Sequence, residues 1–173
     1  MNGFLLLLPF LLVRFGLLSL RDKKAVQRAA HFAPMQGGEL IAYGIYQAAM
    51  FGILFCSFFL RAEAEGSILF CMGLLLYAVG LVALCMAVIS FSAPDESGLN
   101  TKGIYRFSRH PMYAAYFLYF AGMALLMRSL VLACMVLLFQ ISAHGIILAE
   151  ERECIKRFGK AYQQYMKKVR RYF

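Results

Sequence analysis

The sequence predicts an all-α fold, an integral membrane bundle of about five transmembrane helices that forms a single domain over residues 1–173. Two observations lead to this fold class. Hydrophobic residues make up 62% of the chain, and they are concentrated in long stretches separated by short polar loops. Because every polar stretch is too short to bury a core of its own, no second domain is expected.

Three apolar stretches each have the length of one membrane helix, which is about 20 residues. They cover roughly 1–20, 40–60 and 67–92. The first has no basic leading region and no small-residue cleavage site, so we expect a retained helix rather than a signal peptide. It contains Pro9 and Arg14, and we expect the Arg14 side chain to extend toward the basic loop that follows.

A fourth apolar stretch, at about 111–149, is too long for one crossing. Arg128 and Ser129 break it near the middle. The break predicts a helical hairpin with one helix at about 111–127 and the other at about 130–149.

Lysine and arginine are concentrated in alternate loops. Residues 21–38 contain four, residues 93–110 contain three, and the carboxyl-terminal tail 150–173 contains eight. The two remaining loops contain one each, Arg61 and Arg128. Since cytoplasmic loops are enriched in basic residues, we expect the amino terminus outside and the tail in the cytoplasm. The compact loops are typical of a multi-pass protein of a prokaryotic inner membrane.

The formal net charge of +9 also agrees with a membrane protein. In so apolar a chain the basic residues must lie outside the bilayer or against anionic headgroups, so membrane lipids are the expected partner rather than nucleic acid. The five cysteines form an odd number without Cys-x-x-Cys spacing. We interpret them as reduced packing residues and expect no metal site.

The loop before Pro111 leads directly into a predicted helix. Proline suits the first helical position, and it leaves the other early backbone N–H groups open to an anionic group such as a carboxylate. Arg106 and Arg109 add positive charge, while His110 and Tyr113 can face one pocket because they are three residues apart. Taken alone, a basic loop of this kind more often contacts lipid headgroups.

Two adjacent carboxylates, Glu150 and Glu151, follow the last predicted span. At a membrane boundary they repel each other and resist desolvation, so they require cationic or hydroxyl partners. A carboxylate there could accept hydrogen bonds from a ribose diol or an amino group, and it would retain a nearby sulfonium cation. The simpler interpretation is an amphipathic tail with ion pairs at helical spacing, such as Glu153 with Arg157.

Two other groups of residues have two interpretations each. Gln140, His144 and Glu151 share one face of the last predicted span, where they either line a pocket or form hydrogen bonds between helices. Gly73 and Gly80 either allow a ligand to approach the third span closely or allow two helices to pack tightly, and the second interpretation is favoured.

Taken together, the loop and the tail form a specific pattern. The loop reads Leu99-x-Thr101-x-Gly103-x-Tyr105-Arg106-x-x-Arg109-His110-Pro111-x-Tyr113. Later come Glu150-Glu151 and then Phe158-Gly159-x-x-Tyr162-x-x-Tyr165-x-x-x-Val169. This carboxyl-terminal half resembles the isoprenylcysteine carboxyl methyltransferase and phospholipid methyltransferase superfamily. The resemblance implies a membrane fold whose loop and tail enclose S-adenosylmethionine on the cytoplasmic face, with a lateral opening for a lipid substrate.

The resemblance also implies roles for individual residues. It makes Arg171, or Arg170, the residue that holds and polarises the acceptor, because the family commonly has Val-Pro-Arg where this chain has Val169-Arg170-Arg171. Glu150 has a second, catalytic role as a general base if the acceptor is an amine. The amino-terminal half has no comparable match, so acceptor specificity is expected there. The implied cofactor contacts are Tyr105, Arg109, His110, Pro111, Tyr113, Glu150 and Glu151.

Several acceptors are compatible with this resemblance. The first choice is the carboxylate of an isoprenylated cysteine or a related lipid-like molecule, which is already ionised near neutral pH. The alternative is the amine of a phospholipid of the phosphatidylethanolamine type, which requires a base such as Glu150 or His144. Neither reaction requires a metal.

A different enzyme class resembles the same region. Membrane sterol and steroid reductases use NADPH and usually have Asn-Tyr followed by Gly and an acidic residue. This chain has Met112-Tyr113-Ala114-Ala115 there, which favours methyl transfer.

Overall fold

The computed structural model describes residues 2–21, 32–62, 66–95 and 97–172. Within these ranges the regular elements are helices, and strand pairing is limited to isolated bridges. Three basic residues of the first predicted cytoplasmic loop, Lys23, Lys24 and Arg28, lie outside the described residues.

The first span is one helix in three parts. Helix α1 (Gly3–Leu11) continues through a π-helical segment (Leu12–Leu17) into α2 (Leu18–Arg21). Asn2 begins it by accepting a hydrogen bond from the backbone N–H of Phe4 at 2.9 Å. This satisfies one of the donors that every helix start leaves open.

Two long helices follow. Helix α3 (Gly38–Phe59) and helix α4 (Ile68–Ser92) correspond to the second and third predicted spans. Ser67 caps α4 by accepting a hydrogen bond from the backbone N–H of Phe70 at 3.3 Å. A 3-10 turn (Gly103–Arg106) then interrupts the loop that leads to the hairpin.

The predicted hairpin is formed by α5 (Pro111–Leu126) and α6 (Leu130–Phe158). Arg128 in the turn has a φ of 46°, a left-handed conformation that reverses the chain within three residues. Ser129 then accepts a hydrogen bond from the N–H of Leu132 at 3.2 Å and begins α6.

Helix α6 extends past the predicted end of the last span at residue 149. Residues 150–157 are mostly glutamate, arginine and lysine, which have high helix propensity although they end the apolar stretch. Gly159, with a φ of 52°, terminates the helix. Helix α7 (Lys160–Lys168) then forms the first part of the tail.

The predicted all-α membrane fold is confirmed. Four helical stretches of the described chain are long and apolar enough to cross a membrane, and α5 is a shorter apolar helix. Their outward faces carry exposed large side chains such as Leu12, Phe51 and Ile141, as expected for surfaces that face lipid. The four stretches are Gly3–Arg21, Gly38–Phe59, Ile68–Ser92 and Leu130–Phe158.

Helices α4 and α5 pack with their backbones in contact. A Cβ atom at Gly80 would overlap the backbone of Tyr119, and one at Gly122 would overlap the backbone of Tyr77. Gly73 likewise lies against Leu126. The glycines of the third span therefore serve helix packing, which is the favoured interpretation of Gly73 and Gly80.

Polar contacts join the helix ends at each of the two opposite ends of the bundle. At one end the N–H of Gly3 donates to the carbonyl of Leu60 at 2.9 Å, and Arg128 donates to Ser67 at 2.9 Å. At the opposite end Arg152 joins α6 to the start of α3. Most basic residues of the described loops therefore lie at the end formed by the 93–110 loop and the tail.

Candidate active site

The loop that precedes α5 is fixed by its own polar contacts. Asp95 accepts a hydrogen bond from Thr101 at 2.6 Å and forms an ion pair with Lys102 at 2.5 Å. Lys102 and Thr101 hold the pKa of Asp95 below its usual value, so the carboxylate stays charged. Farther along, Tyr165 of α7 donates a hydrogen bond of 2.6 Å to the carbonyl of Tyr105. The tail helix thus holds the 3-10 turn in place.

The end of the tail runs beside the same loop. The N–H of Arg109 donates to the carbonyl of Arg170 at 3.0 Å, and the hydroxyl of Ser108 donates to the carbonyl of Arg171 at 3.2 Å. Ser108 and Arg170 form an isolated parallel bridge. The loop and the tail are therefore one folded unit at the basic end of the bundle.

Glu151 lies at the centre of this unit and is only 4% exposed. Arg171 donates to it twice, from Nε at 3.1 Å and from Nη2 at 2.8 Å. The Nη1 atom of Arg109 lies 3.2 Å from its Oε1 atom. A carboxylate buried this deeply needs such cationic partners, and they connect the loop, the tail and α6.

His110 connects both glutamates. Its Nδ1 atom lies 3.3 Å from Glu150 Oε2, and its Nε2 atom lies 3.4 Å from Glu151 Oε1. Burial acts to lower the pKa of His110, but the two nearby carboxylates outweigh it and raise the pKa above its usual value. The two carboxylates therefore favour the protonated form of His110.

Glu150 has a different position from its neighbour. Its Oε1 atom accepts a hydrogen bond of 2.7 Å from the hydroxyl of Tyr113, and 27% of its side chain is exposed. Because Glu150 has a hydroxyl partner on one oxygen and His110 beside the other, its carboxylate is fixed in orientation.

A cavity of about 730 Å³ lies beside these groups. This volume is within the usual range for small-molecule sites, roughly 300–1,000 Å³. Polar and charged side chains from the loop and α6 line one part, and aromatic rings line much of the remainder. The lining residues include Arg14, Tyr46, Asn100, Tyr105, Arg109, His110, Tyr113, Tyr116 and Glu150.

The structure brings most of the predicted site residues together. Tyr105, Arg109, His110, Tyr113 and Glu150 line the cavity. Among the described residues, the other predicted site residues do not line it. Pro111 is the buried first residue of α5, Glu151 lies behind the lining, Arg171 binds Glu151, and the side chain of Arg170 is exposed.

Gln140 and His144 are not among the described residues that line the cavity. His144 is exposed, and its Nδ1 atom lies 2.8 Å from the hydroxyl of Tyr172. Within the described residues His144 therefore does not line this cavity. It forms a hydrogen bond between elements of the fold, which joins α6 to the tail.

Sequence reasoning did not assign several lining residues from the amino-terminal half or from deeper in α5. Arg14, Tyr46 and Tyr116 are among them. A signal existed for Arg14, because an arginine within an apolar span is costly and marks a functional site by default. The two tyrosines gave none, since aromatic residues are common throughout the spans.

Comparison with known families gives one match. A family model described as phospholipid methyltransferase matches residues 64–161, more than half of the chain. The matched stretch contains the loop, Arg109, His110 and both glutamates, and it confirms the superfamily resemblance of the sequence. No curated protein and no solved structure matches the chain.

Proposed function

The chain belongs to the phospholipid methyltransferase family, and we propose that it transfers a methyl group from S-adenosylmethionine to a lipid-like acceptor held in the membrane. Membership indicates methyltransferase activity at a membrane, while the cofactor and the acceptor are our proposal. The observation that carries it is one cavity lined both by Glu150, His110 and Arg109 and by tyrosines from the membrane helices.

The polar part suits a cofactor with a carboxylate, an amino group and a sulfonium. Arg109 Nε and Asn100 Oδ1 are buried and have no hydrogen-bond partner among the described residues. We expect Arg109 to hold the carboxylate of the cofactor, and Glu150 to hold its amino group or ribose hydroxyls. When bound, S-adenosylmethionine supplies a methyl group on a positively charged sulfur, and the Glu150 charge stabilises that cation.

The other proposed cofactor residues hold Arg109 and Glu150 in position. Tyr113 and His110 fix the carboxylate of Glu150, and Glu151 holds Arg109 from the side away from the cavity. Tyr105 and Pro111 form the turn and the helix start beside them. We therefore assign Glu151 a positioning role, and we propose that Arg171 acts through Glu151.

For the acceptor we propose an acid group on a lipid-like molecule, such as the carboxylate of an isoprenylated cysteine. This group is ionised near neutral pH, so the chain has to align it with the methyl group and exclude water, without removing a proton. The aromatic part of the cavity suits the apolar portion of such a molecule.

A phospholipid amine is the second candidate, because Glu150 faces the cavity. An ammonium must lose its proton before it can attack, and Glu150 is a carboxylate at which that proton can be held. His144 does not line the cavity in the described chain, so the geometry favours Glu150 as the base.

We propose that the basic end of the bundle faces the cytoplasm. Arg61 and Arg128 are the loop cations of the opposite end in the described chain, and the loop and tail at the basic end carry many more. This asymmetry supports an outside amino terminus and a cytoplasmic active site.

The test uses purified protein with methyl-labelled S-adenosylmethionine and a total lipid extract, followed by mass analysis of the labelled product. The proposal predicts a methylated lipid whose mass identifies the acceptor as an acid or an amine. In parallel, S-adenosylhomocysteine and NADPH are compared for their effect on the melting temperature, since a ligand of the native state raises it. Stabilisation by NADPH alone, without a labelled product, would favour a reductase and overturn the proposal.

A further inference from the structure

An arginine lies inside the first apolar helix. Arg14 belongs to the π-helical segment Leu12–Leu17, is half-buried, and lines the cavity. Placing a cation in a membrane helix is costly, and such residues usually face a polar cavity that uses the charge. A π-helical stretch, which is uncommon in itself, also occurs frequently at functional sites.

Tyr116 of α5 provides a second and independent observation. It is 5% exposed, lines the same cavity, and its hydroxyl has no hydrogen-bond partner among the described residues. A buried hydroxyl without a partner is unfavourable unless a ligand or a water satisfies it. Arg14, Tyr46 and Tyr116 line one cavity, and the ring of Tyr113 lies 6.3 Å from that of Tyr46 and 6.2 Å from that of Tyr116, so we treat these three residues as one polar group.

Tyr116 lies about one helical turn farther along α5 than Tyr113, the residue that holds Glu150. At about 1.5 Å per residue, Tyr116 is roughly 7.5 Å along α5 from Pro111, and Tyr46 is roughly 12 Å along α3 from Gly38. Arg14 is roughly 10 Å before Arg21, at the end of its helix. The group therefore lies on the membrane side of the cavity, where an acceptor would enter from the lipid.

We infer that Arg14 and Tyr116 bind an anionic group, a carboxylate or a phosphate, of the amphiphilic acceptor. Arginine offers several N–H donors in a planar fork, and a tyrosine hydroxyl adds another, which suits either kind of anion. The apolar chain of such a molecule would lie in the bilayer beside the first helix. The inference rests on the proposed function, because it concerns the acceptor of that reaction.

The experiment measures binding of simple probes without cofactor. Dodecyl phosphate, dodecanoate and dodecanol are titrated into the purified protein, and apparent dissociation constants are obtained from the rise in melting temperature. The three probes share one apolar chain, so only an anion site separates them. We expect the wild-type protein to bind at least one anionic probe about tenfold more tightly than dodecanol, and the tighter probe distinguishes a phosphate from a carboxylate.

Variants assign the effect to the inferred site. Arg14→Gln should weaken the anionic probe about tenfold or more, and Tyr116→Phe should weaken it less. Arg21→Gln is the matched control, because Arg21 is an exposed arginine on the same continuous helix. Arg14→Lys, which keeps the charge, should retain part of the affinity if Arg14→Gln proves too unstable to measure.

Equal binding of all three probes, or equal losses in Arg14→Gln and Arg21→Gln, would overturn the inference. The second result would mean that both arginines only contact headgroups or the surrounding micelle. Binding of S-adenosylhomocysteine is measured separately on the same variants. If it is absent from the wild-type protein the proposed function fails, whereas the probe data still decide whether Arg14 binds anions.

Discussion

Arg171 donates two hydrogen bonds to Glu151, at 3.1 Å and 2.8 Å, and so ties the end of the tail to the last long helix. The adjacent Arg170 uses its backbone carbonyl to bind the loop, and its side chain is exposed. Substitutions of these two neighbouring arginines should therefore have different effects.

Arg171→Gln should release the end of the tail, whereas Arg170→Gln should not. Losing charge-assisted hydrogen bonds costs about 2 kcal/mol, and the loop that the tail holds would lose its support. We expect faster limited proteolysis after residue 168 and roughly tenfold weaker binding of S-adenosylhomocysteine in Arg171→Gln. The assignment is contradicted if Arg170→Gln shows the larger change in either measurement.

Glu150→Gln should weaken cofactor binding without unfolding the protein. The glutamine carbonyl can still accept the hydrogen bond from Tyr113, but the negative charge toward the cavity is lost. We expect roughly a tenfold loss of affinity for S-adenosylhomocysteine by calorimetric titration.

Glu151→Gln provides the comparison for this variant. It removes the buried charge that Arg109, His110 and Arg171 share, so the melting temperature should fall together with the affinity. Equal stability losses in the two glutamate variants would mean that the two carboxylates do not have different roles.

His110 should make the stability of the site depend on pH. Its pKa is raised in the folded protein above the ordinary value of 6.5, so folding binds the proton more tightly. The resulting stabilisation is fully present below the pKa of the unfolded chain and is lost as pH rises through the folded pKa. Melting temperatures of the wild-type protein should therefore fall as the pH rises from about 6.5 through the folded pKa, because the unfolded chain releases the proton first.

The control for this pH dependence is a comparison of two histidine variants. In His110→Gln the melting temperature should fall less as the pH rises, because the group that titrates beside Glu150, Glu151 and Arg109 is absent. His144→Gln should keep the pH dependence, because His144 lies outside the cluster and contacts Tyr172. A pH profile that only the His144 variant flattens would contradict the assignment to His110.

Gly122→Ala should destabilise the pair formed by α4 and α5. The added Cβ would overlap the backbone of Tyr77, which cannot move without separating the helices, and such overpacking costs about 1–3 kcal/mol. Gly44→Ala is the control, since an added Cβ meets no atom within 4 Å in the described chain. It should be neutral or stabilising by up to about 1 kcal/mol. Thermal unfolding in detergent measures both, and similar melting temperatures would contradict the packing argument.

The membrane helices were predictable from the sequence because hydrophobic length alone determines where a chain can cross a bilayer. The break at Arg128 and the start at Pro111 also agree with the structure. The end of α6 was not predictable in this way. Hydropathy falls after residue 149, whereas helix propensity continues to Phe158, and the two properties have different physical origins.

The contact between the loop and the two glutamates was expected from a family resemblance. That Glu150 lines the cavity and Glu151 does not was not expected. Adjacent residues on a helix point about 100° apart, so Glu150 and Glu151 must differ in direction. Which of them faces the cavity depends on how α6 is rotated against α3 and α5. The same holds for Arg14, because Tyr46 and Tyr116, which line the cavity with it, lie on two other helices far apart in sequence.

The sixteen residues of α5 give that helix a length of about 24 Å, which is less than the roughly 30 Å of hydrocarbon in a bilayer. If Arg128 keeps the other end of α5 at its headgroup plane, the start at Pro111 lies several ångströms inside the hydrocarbon, and the groups around His110 lie with it. A lipid would then have no need to rise out of its leaflet for its head to meet the reactive groups. Local thinning of the bilayer around this short helix would bring water and cofactor down to the lipid instead.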